Sequence, residues 1–245
     1  KCIDCGKCTA VCPYKAIIRV PIPCEEACPT DAIRKGPDGR EKIDFEKCIS
    51  CGRCLKACPF SAILERSQII DVLARLKEGK RVVAMVAPAI IGQFPATLEQ
   101  LAEGLRLAGF SSMMEVASGA ELTSKHEAEE FFERLERGDK LMTSSCCPAY
   151  VEAARKMAPE ILPFISDART PMEYTGMLAK EADPECVTVF IGPCIAKRKE
   201  AMRDDKVDYV MTFEELGALL AAKEINIESL PGIKLEREAD PYARG

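Results

Sequence analysis

The last two thirds of the chain alternate between short apolar runs and longer segments with apolar residues at helical spacing. The apolar runs predict buried strands and the amphipathic segments predict helices. The predicted strands are residues 81–86, 113–116, 141–144, 186–191 and 207–211. The predicted helices are residues 98–108, 124–137, 148–157, 172–181 and 213–223. This alternation predicts an α/β domain with a parallel sheet over residues 81–245, whose ligands bind beyond the carboxyl ends of the strands.

Local signals set several of these boundaries. Gly109 ends the first helix, and Pro148 lies in the first turn of the third. Ser124, with Glu127 three residues later, predicts a capping box for the helix that runs to Arg137. Residues 67–80 predict a linker helix, because their apolar residues recur at helical spacing.

Residues 1–66 show a different pattern, since prolines and glycines interrupt them too often for long helices. The segment Pro37-Asp38-Gly39 lies between strand-like residues and predicts a hairpin turn. A six-residue sequence recurs three times, as CPYKAI at 12–17, CPTDAI at 28–33 and CPFSAI at 58–63. We therefore expect a small α+β module rich in β-hairpins.

The cysteines assign a chemistry to this module. Ten of the 14 cysteines lie in its first 58 residues, and eight of them form two copies of C-x2-C-x2-C-x3-C-P. The copies are Cys2, Cys5, Cys8, Cys12 and Cys48, Cys51, Cys54, Cys58. In bacterial ferredoxins three thiolates of such a run hold one 4Fe–4S cluster and the fourth reaches the other cluster. The pattern predicts a ferredoxin-like module with two 4Fe–4S clusters.

A middle copy, with Cys24 and Cys28, complicates the ligand assignment. The separation of Cys28 from Cys48 is the one expected inside a two-cluster ferredoxin, whereas Cys12 is too far from Cys48 by one insertion. Cys28 is therefore the better fourth ligand for the second run, and Cys58 then completes the first. Ten cysteines are thus available for the eight ligand positions of two clusters. Either two of them bind no iron, or a third cluster uses residues beyond the N-terminal end.

Composition and charge narrow the classes of function. The chain has 245 residues, of which 47% are hydrophobic, and a formal net charge of −5. Residues 1–66 carry 12 basic and nine acidic side chains, an excess that we interpret as compensation for the negative clusters rather than as a nucleic-acid site. The longest apolar run, residues 82–91, is too short to span a membrane, and no signal peptide is evident. We expect no nucleic-acid or membrane partner, and a reducing cytoplasm.

Two further cysteine sites lie in the α/β domain, each where a predicted strand ends. The first is SSCCPAY at 144–150 and the second is GPCIAKRKE at 192–200. Thiols at helix N-termini have a lowered pKa and bind metals readily. Because adjacent cysteines do not easily hold one cluster together, one of Cys146 and Cys147 is free for another task, such as proton transfer.

These two segments, in this order and downstream of ferredoxin runs, resemble the first two signatures of the iron-only (FeFe) hydrogenases. APAI at 87–90 resembles the loop of that family under the active site. The resemblance implies an H-cluster, which is a 4Fe–4S cube bridged to a two-iron unit with CO, cyanide and a dithiolate. By resemblance Cys147 and Cys194 are cube ligands, and Cys146 is the proton-transferring thiol. The resemblance also implies that Lys197 holds a cyanide and that Ala87 and Pro88 line the cofactor.

The family also moves protons through a relay. By resemblance its carboxylates are Glu130 and Glu200, its hydroxyl is Ser166 and its arginine is Arg134. An alternative reading of Glu130 and Arg134 is an ion pair four residues apart on a solvated helix face.

The chain departs from the family pattern in two ways. Tyr150 replaces a tryptophan, Gly192 replaces a methionine, and Ala89 stands where some members have serine, so we expect a looser shell around the two-iron unit in a divergent subgroup. No third cysteine signature follows residue 200. We therefore expect a fragment with a C-terminally incomplete, partial hydrogenase domain, and an H-cluster that this chain alone does not complete.

The leading hypothesis is reversible reduction of protons to H2. Its electrons come from ferredoxin or another carrier, and hydrogenase maturation proteins supply the cofactor. A redox sensor on the same scaffold and an iron–sulfur assembly or scaffold protein are the alternatives. Cys186 is expected to be a buried thiol, and His126 is expected at an exposed helix position rather than on a metal.

Overall fold

A computed structural model of the chain describes residues 6–18, 22–235 and 238–244. It divides into two compact units. The first comprises residues 1–48 and 52–64, and the second comprises residues 49–51 and 65–245. None of the helices in the described ranges has the length and apolar character that crossing a bilayer requires.

Over its described residues the first unit is built from short helices and one hairpin, whereas the sequence predicted a module rich in hairpins. Its helices are α1 (Lys7–Val11), α2 (Pro23–Glu26) and α3 (Arg53–Ala57). Strands β1 (Ile33–Lys35) and β2 (Glu41–Ile43) pair antiparallel, with Ile33 opposite Ile43. The turn between them contains the predicted Pro-Asp-Gly segment, and Gly39 adopts a φ of 77° that favours glycine. Between the hairpin and α3 lies the loop that carries Cys48 and Cys51.

The second unit is a parallel sheet with helices on it. Its strands are β3 (Val82–Val86), β4 (Ser112–Glu115), β5 (Val187–Ile191) and β6 (Tyr209–Met211), in the order β4-β3-β5-β6. All neighbouring strands pair parallel, as the alternating sequence predicted. All five residues of β3 are buried, which explains why this central strand reads as a continuous apolar run.

The helices of this unit connect and cover the strands. They are α4 (Ile69–Lys77), α5 (Leu98–Ala108), α6 (Ala117–Glu136), α7 (Pro148–Met157), α8 (Pro171–Ala182), α9 (Ala196–Ala201) and α10 (Phe213–Ala222). Threonine capping boxes begin α5, α8 and α10. Short 3-10 turns span Pro88–Ile90, Pro159–Phe164, Ile227–Ser229 and Pro241–Arg244. The buried thiol of Cys186 lies in the core and His126 is exposed, as expected.

Two predicted elements were wrong. Residues 141–144 form no strand of the sheet, because Thr143 makes only an isolated bridge with Ile165. Helix α6 begins at Ala117, seven residues before Ser124, so the predicted capping box lies in the middle of a helix. Since Glu127 is not needed as a cap, its carboxylate is available for a tertiary contact.

The helices α6 and α8 approach each other closely at Gly119. A Cβ at this position would lie 2.1 Å from the carbonyl oxygen of Pro171 and 2.4 Å from the hydroxyl of Thr175. Such distances are far below a van der Waals contact, so only glycine permits this crossing. The crossing matters for the site because α6 carries Glu130 and Arg134.

We expect Gly119→Ala to destabilise the domain by about 1–3 kcal/mol, because overpacking forces the two helices apart. The matched control is Gly217→Ala inside α10, where the nearest atom is a ring carbon of Phe94 at 3.6 Å. This control should stabilise by about 0.5–1 kcal/mol through helix propensity. Urea unfolding of both variants measures the difference, and equal effects would contradict the close crossing.

A buried carboxylate joins α7 to α9. The side chain of Glu152 is 6% exposed and makes ion pairs with Lys199 and Arg203 at 3.1 and 3.0 Å, and with Arg155 and Lys156 at 3.1 Å each. Burial raises its pKa, but hydrogen bonds from Lys199, Arg203 and Lys156 outweigh burial and lower the pKa to about 2. The ion pairs of Glu152 therefore hold α7 and α9 together. These are the helices that follow the two cysteine segments.

The low pKa of Glu152 predicts a pH-dependent stability. Because the folded pKa lies below the ordinary value of 4.5, the stabilisation is present above that pH and is lost as the pH falls towards 2. It amounts to at most about 3 kcal/mol. Glu152→Gln should therefore be less stable than the parent at pH 7, and the gap should narrow below about pH 4.5. The exposed Glu160→Gln is the control, and a gap independent of pH would contradict this assignment.

Candidate functional site

The carboxyl edge of the sheet brings two of the predicted segments together. Ala87 follows β3, and its N–H donates to the carbonyl of Ile191 at 2.9 Å. Gly192 and Cys194 follow β5, so Pro88 and Cys194 both lie beyond adjacent strand ends. This is where parallel sheets bind their ligands.

Gly192 is closely packed. A Cβ there would lie 2.6 Å from the Phe190 ring and 3.2 Å from the Cβ of Ala87. The ring of Phe190 therefore fills the space beside Gly192 that a side chain at this position would enter. At Tyr150, another of the three replaced positions, the hydroxyls of Tyr150 and Thr143 form a hydrogen bond of 2.9 Å.

The segment with the paired cysteines leads into α7. Cys147 is the residue before the helix and Pro148 is its first residue, as predicted. Both Cys146 and Cys147 are exposed, whereas Cys194 is half-buried. Their thiols therefore have room for ligands, and the short helix α9 after Cys194 presents Lys197 and Glu200 towards the same region.

Lys197 links the two cysteine segments. Its Nζ donates to the carbonyl of Cys146 at 3.2 Å and to both carboxylate oxygens of Glu200 at 3.0 and 2.8 Å. Ser145, Ala196 and Glu200 also line one cavity of about 200 Å³. The two segments predicted to share a site are thus adjacent, and Lys197, which links them, is largely buried.

Glu200 has a second partner at the start of α8. The hydroxyl of Thr170 donates to Glu200 Oε1 at 2.5 Å and also accepts from the N–H of Glu173, which caps the helix. The four predicted relay residues therefore do not form one chain. Glu200 lies with Lys197 and Thr170, and its described hydrogen bonds include none to Glu130 or Ser166.

The other three relay residues do lie together. The hydroxyl of Ser166 donates to Glu130 Oε2 at 2.5 Å, and Arg134 Nε donates to Glu130 Oε1 at 2.8 Å. The Arg134 guanidinium also donates to the carbonyls of Pro163 and Ile165 at 2.8 and 2.9 Å. Arg134 is only 5% exposed, so the alternative reading of a solvated ion pair is wrong.

The environment of Glu130 favours its charged form. Burial raises the pKa of its carboxyl, but hydrogen bonds from Ser166, Arg134 and the N–H of Asp167 outweigh burial and lower it. A hydroxyl bonded to a carboxylate passes a proton by exchanging one bond for another, so this group has the chemistry of a relay.

Sequence reasoning missed Glu127 as a site residue. Ser144 Oγ donates to Glu127 Oε1 at 2.6 Å and accepts from the N–H of Cys146 at 3.3 Å. One turn along the same helix is Glu130 and a second turn along is Arg134. The spacing 127, 130, 134 marks one helix face and was visible in the sequence. Interpreting Glu127 as a capping residue hid it.

The first unit contains three copies of one local structure. In each, a cysteine is the second residue of a short helix, namely Cys8 in α1, Cys24 in α2 and Cys54 in α3. A second cysteine follows four residues later, namely Cys12, Cys28 and Cys58. Three residues further on, the non-glycine residues Lys15, Asp31 and Ser61 adopt φ values of 48°, 53° and 49°.

Backbone N–H groups surround the second cysteine of each copy. Ala32 N–H donates to Cys28 Sγ at 3.2 Å, and Ala62 N–H donates to Cys58 Sγ at 3.3 Å. Such bonds, led by Ala16 for Cys12 and by Ala62 for Cys58, lower the pKa of these two thiols. Burial raises the pKa of Cys28, but bonds from Thr30 and Ala32 outweigh it. Thiolates favoured in this way are good iron ligands.

Among the residues that the structure describes, no three histidine, cysteine or carboxylate side chains are close enough to share one metal ion. A 4Fe–4S cluster binds each thiolate through a different iron and needs a wider spacing. The donor set of thiolates with N–H bonds fits such a cluster. Cys2 and Cys5 lie outside the described residues.

Comparison with family models assigns both parts of the chain. A model described as iron only hydrogenase large subunit, C-terminal domain, matches residues 80–244. An LdpA Fe-S cluster-binding domain matches residues 18–69, and a 4Fe-4S binding domain matches residues 1–15. Iron–sulfur binding is thus supported independently of the spacing argument.

Similar proteins fall into two functional groups. The periplasmic Fe hydrogenase large subunit of Nitratidesulfovibrio vulgaris is 31% identical over 196 residues, which are 68% of this chain and 46% of that protein. Iron hydrogenase 1 of Clostridium pasteurianum is 36% identical over 56% of this chain and 26% of its own length. The cytosolic Fe-S cluster assembly factor NAR1 of Kluyveromyces lactis is 36% identical over 40% of this chain and 21% of its own length.

Solved structures agree with the fold. An FeFe-hydrogenase structure on stepwise H-cluster assembly matches with a TM-score of 0.64 and 31% identity, over 70% of this chain and 51% of that one. A variant of the FeFe-hydrogenase from Chlamydomonas reinhardtii matches with a TM-score of 0.64 and 29% identity, over 70% of this chain and 51% of its own. The chain spans about half the length of these structures. With its parallel sheet and its match over residues 80–244, the chain belongs to the iron-only hydrogenase large-subunit family.

Proposed function

We propose that this chain carries part of an FeFe-hydrogenase that reversibly reduces protons to H2. The observation that carries the proposal is the set of hydrogen-bonded hydroxyls and carboxylates beside the paired cysteines. Ser144 bonds to Glu127, and Ser166 bonds to Glu130, which pairs with Arg134. A protein that only holds iron–sulfur clusters has no use for such groups, whereas proton reduction needs a proton path.

The residues at the sheet edge fit the cofactor of this reaction. Cys147 and Cys194 are thiols with room for iron, and the segments that carry them are adjacent. When bound, the H-cluster supplies the metal site at which protons and electrons combine. Lys197 offers a compact positive charge for a cyanide, and Ala87 and Pro88 lie at the neighbouring strand end.

The protein's own groups then bring protons to the site. Cys146 is exposed and is adjacent to the proposed ligand Cys147, so its thiol serves as the last proton donor. Ser144, whose hydroxyl accepts from the N–H of Cys146, leads to Glu127. Glu130, on the same face of α6, continues the path together with Ser166, which bonds to it from the segment before α8, and Arg134 holds Glu130 in place. Glu200 neutralises Lys197 and lies off this path.

The cysteine-rich unit supplies the electrons in this proposal. It binds two 4Fe–4S clusters through its two ferredoxin runs, with Cys28 as the better fourth ligand for the second run, and accepts electrons from ferredoxin or another carrier. Maturation proteins provide the two-iron unit. Whether a third cluster exists depends on the cysteines that the two runs leave over.

The second candidate is an iron–sulfur assembly factor, which the similarity to NAR1 proteins favours. A redox sensor is a variant of the first candidate with slow turnover. Infrared bands of CO and cyanide separate the assembly factor from both others, and turnover then separates enzyme from sensor. The relatives also differ in cellular location, since one is named as periplasmic and another as cytosolic. We propose the cytoplasm on the basis of cysteine usage.

Substitution of the two adjacent cysteines tests the proposal. In the full-length protein Cys146→Ala should keep the iron content and the CO and cyanide bands but reduce hydrogen evolution about 100-fold or more, as loss of a general acid does. Cys147→Ala should lose the cube and the bands, because it removes a ligand. Iron analysis, infrared spectroscopy and gas measurement give the result. Equal loss of iron in both variants would refute the division of roles, and absence of the bands in the parent would favour the assembly factor.

Substitutions of Glu130 on α6 and of its partner Ser166 test the proton path. Glu130→Gln and Ser166→Ala should each lower hydrogen evolution by about 100-fold or more without loss of the infrared bands, because they interrupt proton transfer. The control is Glu129→Gln on the exposed face of the same helix, which should leave the rate unchanged. Unfolding midpoints show whether the variants remain folded. Full activity in Ser166→Ala would rule out this route.

A further inference from the structure

The described contacts of Lys197 use all of its hydrogen-bond donors. An ammonium group has three N–H donors. The Nζ of Lys197 contacts the carbonyl of Cys146 at 3.2 Å and the two carboxylate oxygens of Glu200 at 3.0 and 2.8 Å. An anion beside the cysteine segments can therefore receive a full hydrogen bond from Lys197 only if one of these three acceptors gives one up.

The three acceptors differ in what they keep after such an exchange. Among the described hydrogen bonds, the Cys146 carbonyl and Glu200 Oε2 accept only from Lys197. Glu200 Oε1 also accepts from the hydroxyl of Thr170 at 2.5 Å. Because the Glu200 side chain is 9% exposed, an oxygen left there without a donor would be costly. The contact with Oε1 is therefore the one that Lys197 can release at the least cost.

The start of α8 holds the Thr170 hydroxyl in the orientation that this exchange needs. Thr170 is the N-cap of α8 and is buried. Its Oγ1 accepts from the N–H of Glu173 at 3.4 Å, and its own N–H donates to the carboxylate of Glu173 at 3.2 Å. Since a hydroxyl has a single proton and its oxygen faces the helix, that proton is directed to Glu200. The hydrogen bond to Glu200 thus belongs to the fold and does not depend on Lys197.

We infer that Thr170 is a positioning residue for Lys197. Its hydroxyl keeps Glu200 Oε1 hydrogen-bonded and weakens the hold of this carboxylate on Lys197, so that Lys197 can turn one donor to an anionic group at the paired cysteines. Lys197 remains paired with Glu200 through Oε2. The inference rests on the proposed function, in which that anionic group is a cyanide of the H-cluster, and it adds Thr170 to the residues that act on this site.

Amine labelling tests the exchange in the 245-residue chain without any cofactor. Lys197 is labelled by reductive methylation, and mass spectrometry compares its rate in Thr170→Val with that in the parent. Valine has nearly the shape of threonine but no hydroxyl, so Glu200 Oε1 then depends on Lys197 alone. Labelling of Lys197 should become about fivefold slower, which is the factor that the net contribution of one hydrogen bond gives.

Two further variants separate this role from a structural one. Thr97→Val removes the same kind of capping box at α5 and should leave the labelling rate of Lys197 unchanged. Glu200→Gln removes the charge that holds the amine and should raise the rate. Loss of the cap in Thr170→Val would by itself loosen α8 and make Lys197 more accessible. Faster or unchanged labelling in Thr170→Val would therefore overturn the inference.

Infrared spectra of the full-length protein with its H-cluster give a second readout. A cyanide band should shift in Thr170→Val and keep its position in Thr97→Val, because only the first variant weakens the hydrogen bond from Lys197. Unchanged cyanide bands in Thr170→Val would overturn the inference and leave the proposed function intact. Absence of these bands in the parent would instead overturn the proposed function, and with it the anion assigned to Lys197.

Discussion

The buried guanidinium of Arg134 is the interaction on which the candidate site depends. It holds the carbonyls of Pro163 and Ile165 against α6. The same segment bonds to the start of the cysteine loop in both directions, because Thr143 N–H donates to Phe164 and Ser166 N–H donates to Thr143. The loop with Cys146 and Cys147 is thus fixed to α6 through a charge that is only 5% exposed. Loss of a buried charged hydrogen-bonding group is costly.

Under the proposed function, the same contacts give Glu130 two tasks that limit each other. As the counter-charge of Arg134 it must be ionised, and its hydrogen bonds favour that form. As a proton carrier it must accept a proton for a short time. A carboxylate with a lowered pKa releases a bound proton readily. It is therefore better suited to proton transfer than to proton storage. The architecture therefore supports conduction without weakening the contact that positions the loop.

The sequence predicted the sheet and most helices, because a buried parallel sheet leaves a strong apolar pattern in β3 and β5. It failed where tertiary contacts decide. Residues 141–144 resemble a strand, yet Thr143 pairs with Ile165 outside the sheet. The cysteine motifs could be identified from the sequence because residue type and spacing define them. Glu127 was missed because the sequence pattern assigned its carboxylate to a local helix cap. In the structure that carboxylate instead accepts a long-range hydrogen bond from Ser144. The separation of Glu200 from Glu130 could not be predicted from spacing alone.

The two hydrogen bonds of the Thr170 hydroxyl limit which residues can replace Thr170. It accepts from Glu173 N–H to begin α8 and donates its only proton to Glu200. Serine preserves both roles. Aspartate or asparagine would also cap the helix, but the first would bring a negative charge against Glu200 and the second a larger amide. The position is therefore restricted to a small hydroxyl side chain by two neighbours at once, and substitutions tolerated at ordinary helix caps would be selected against at this one.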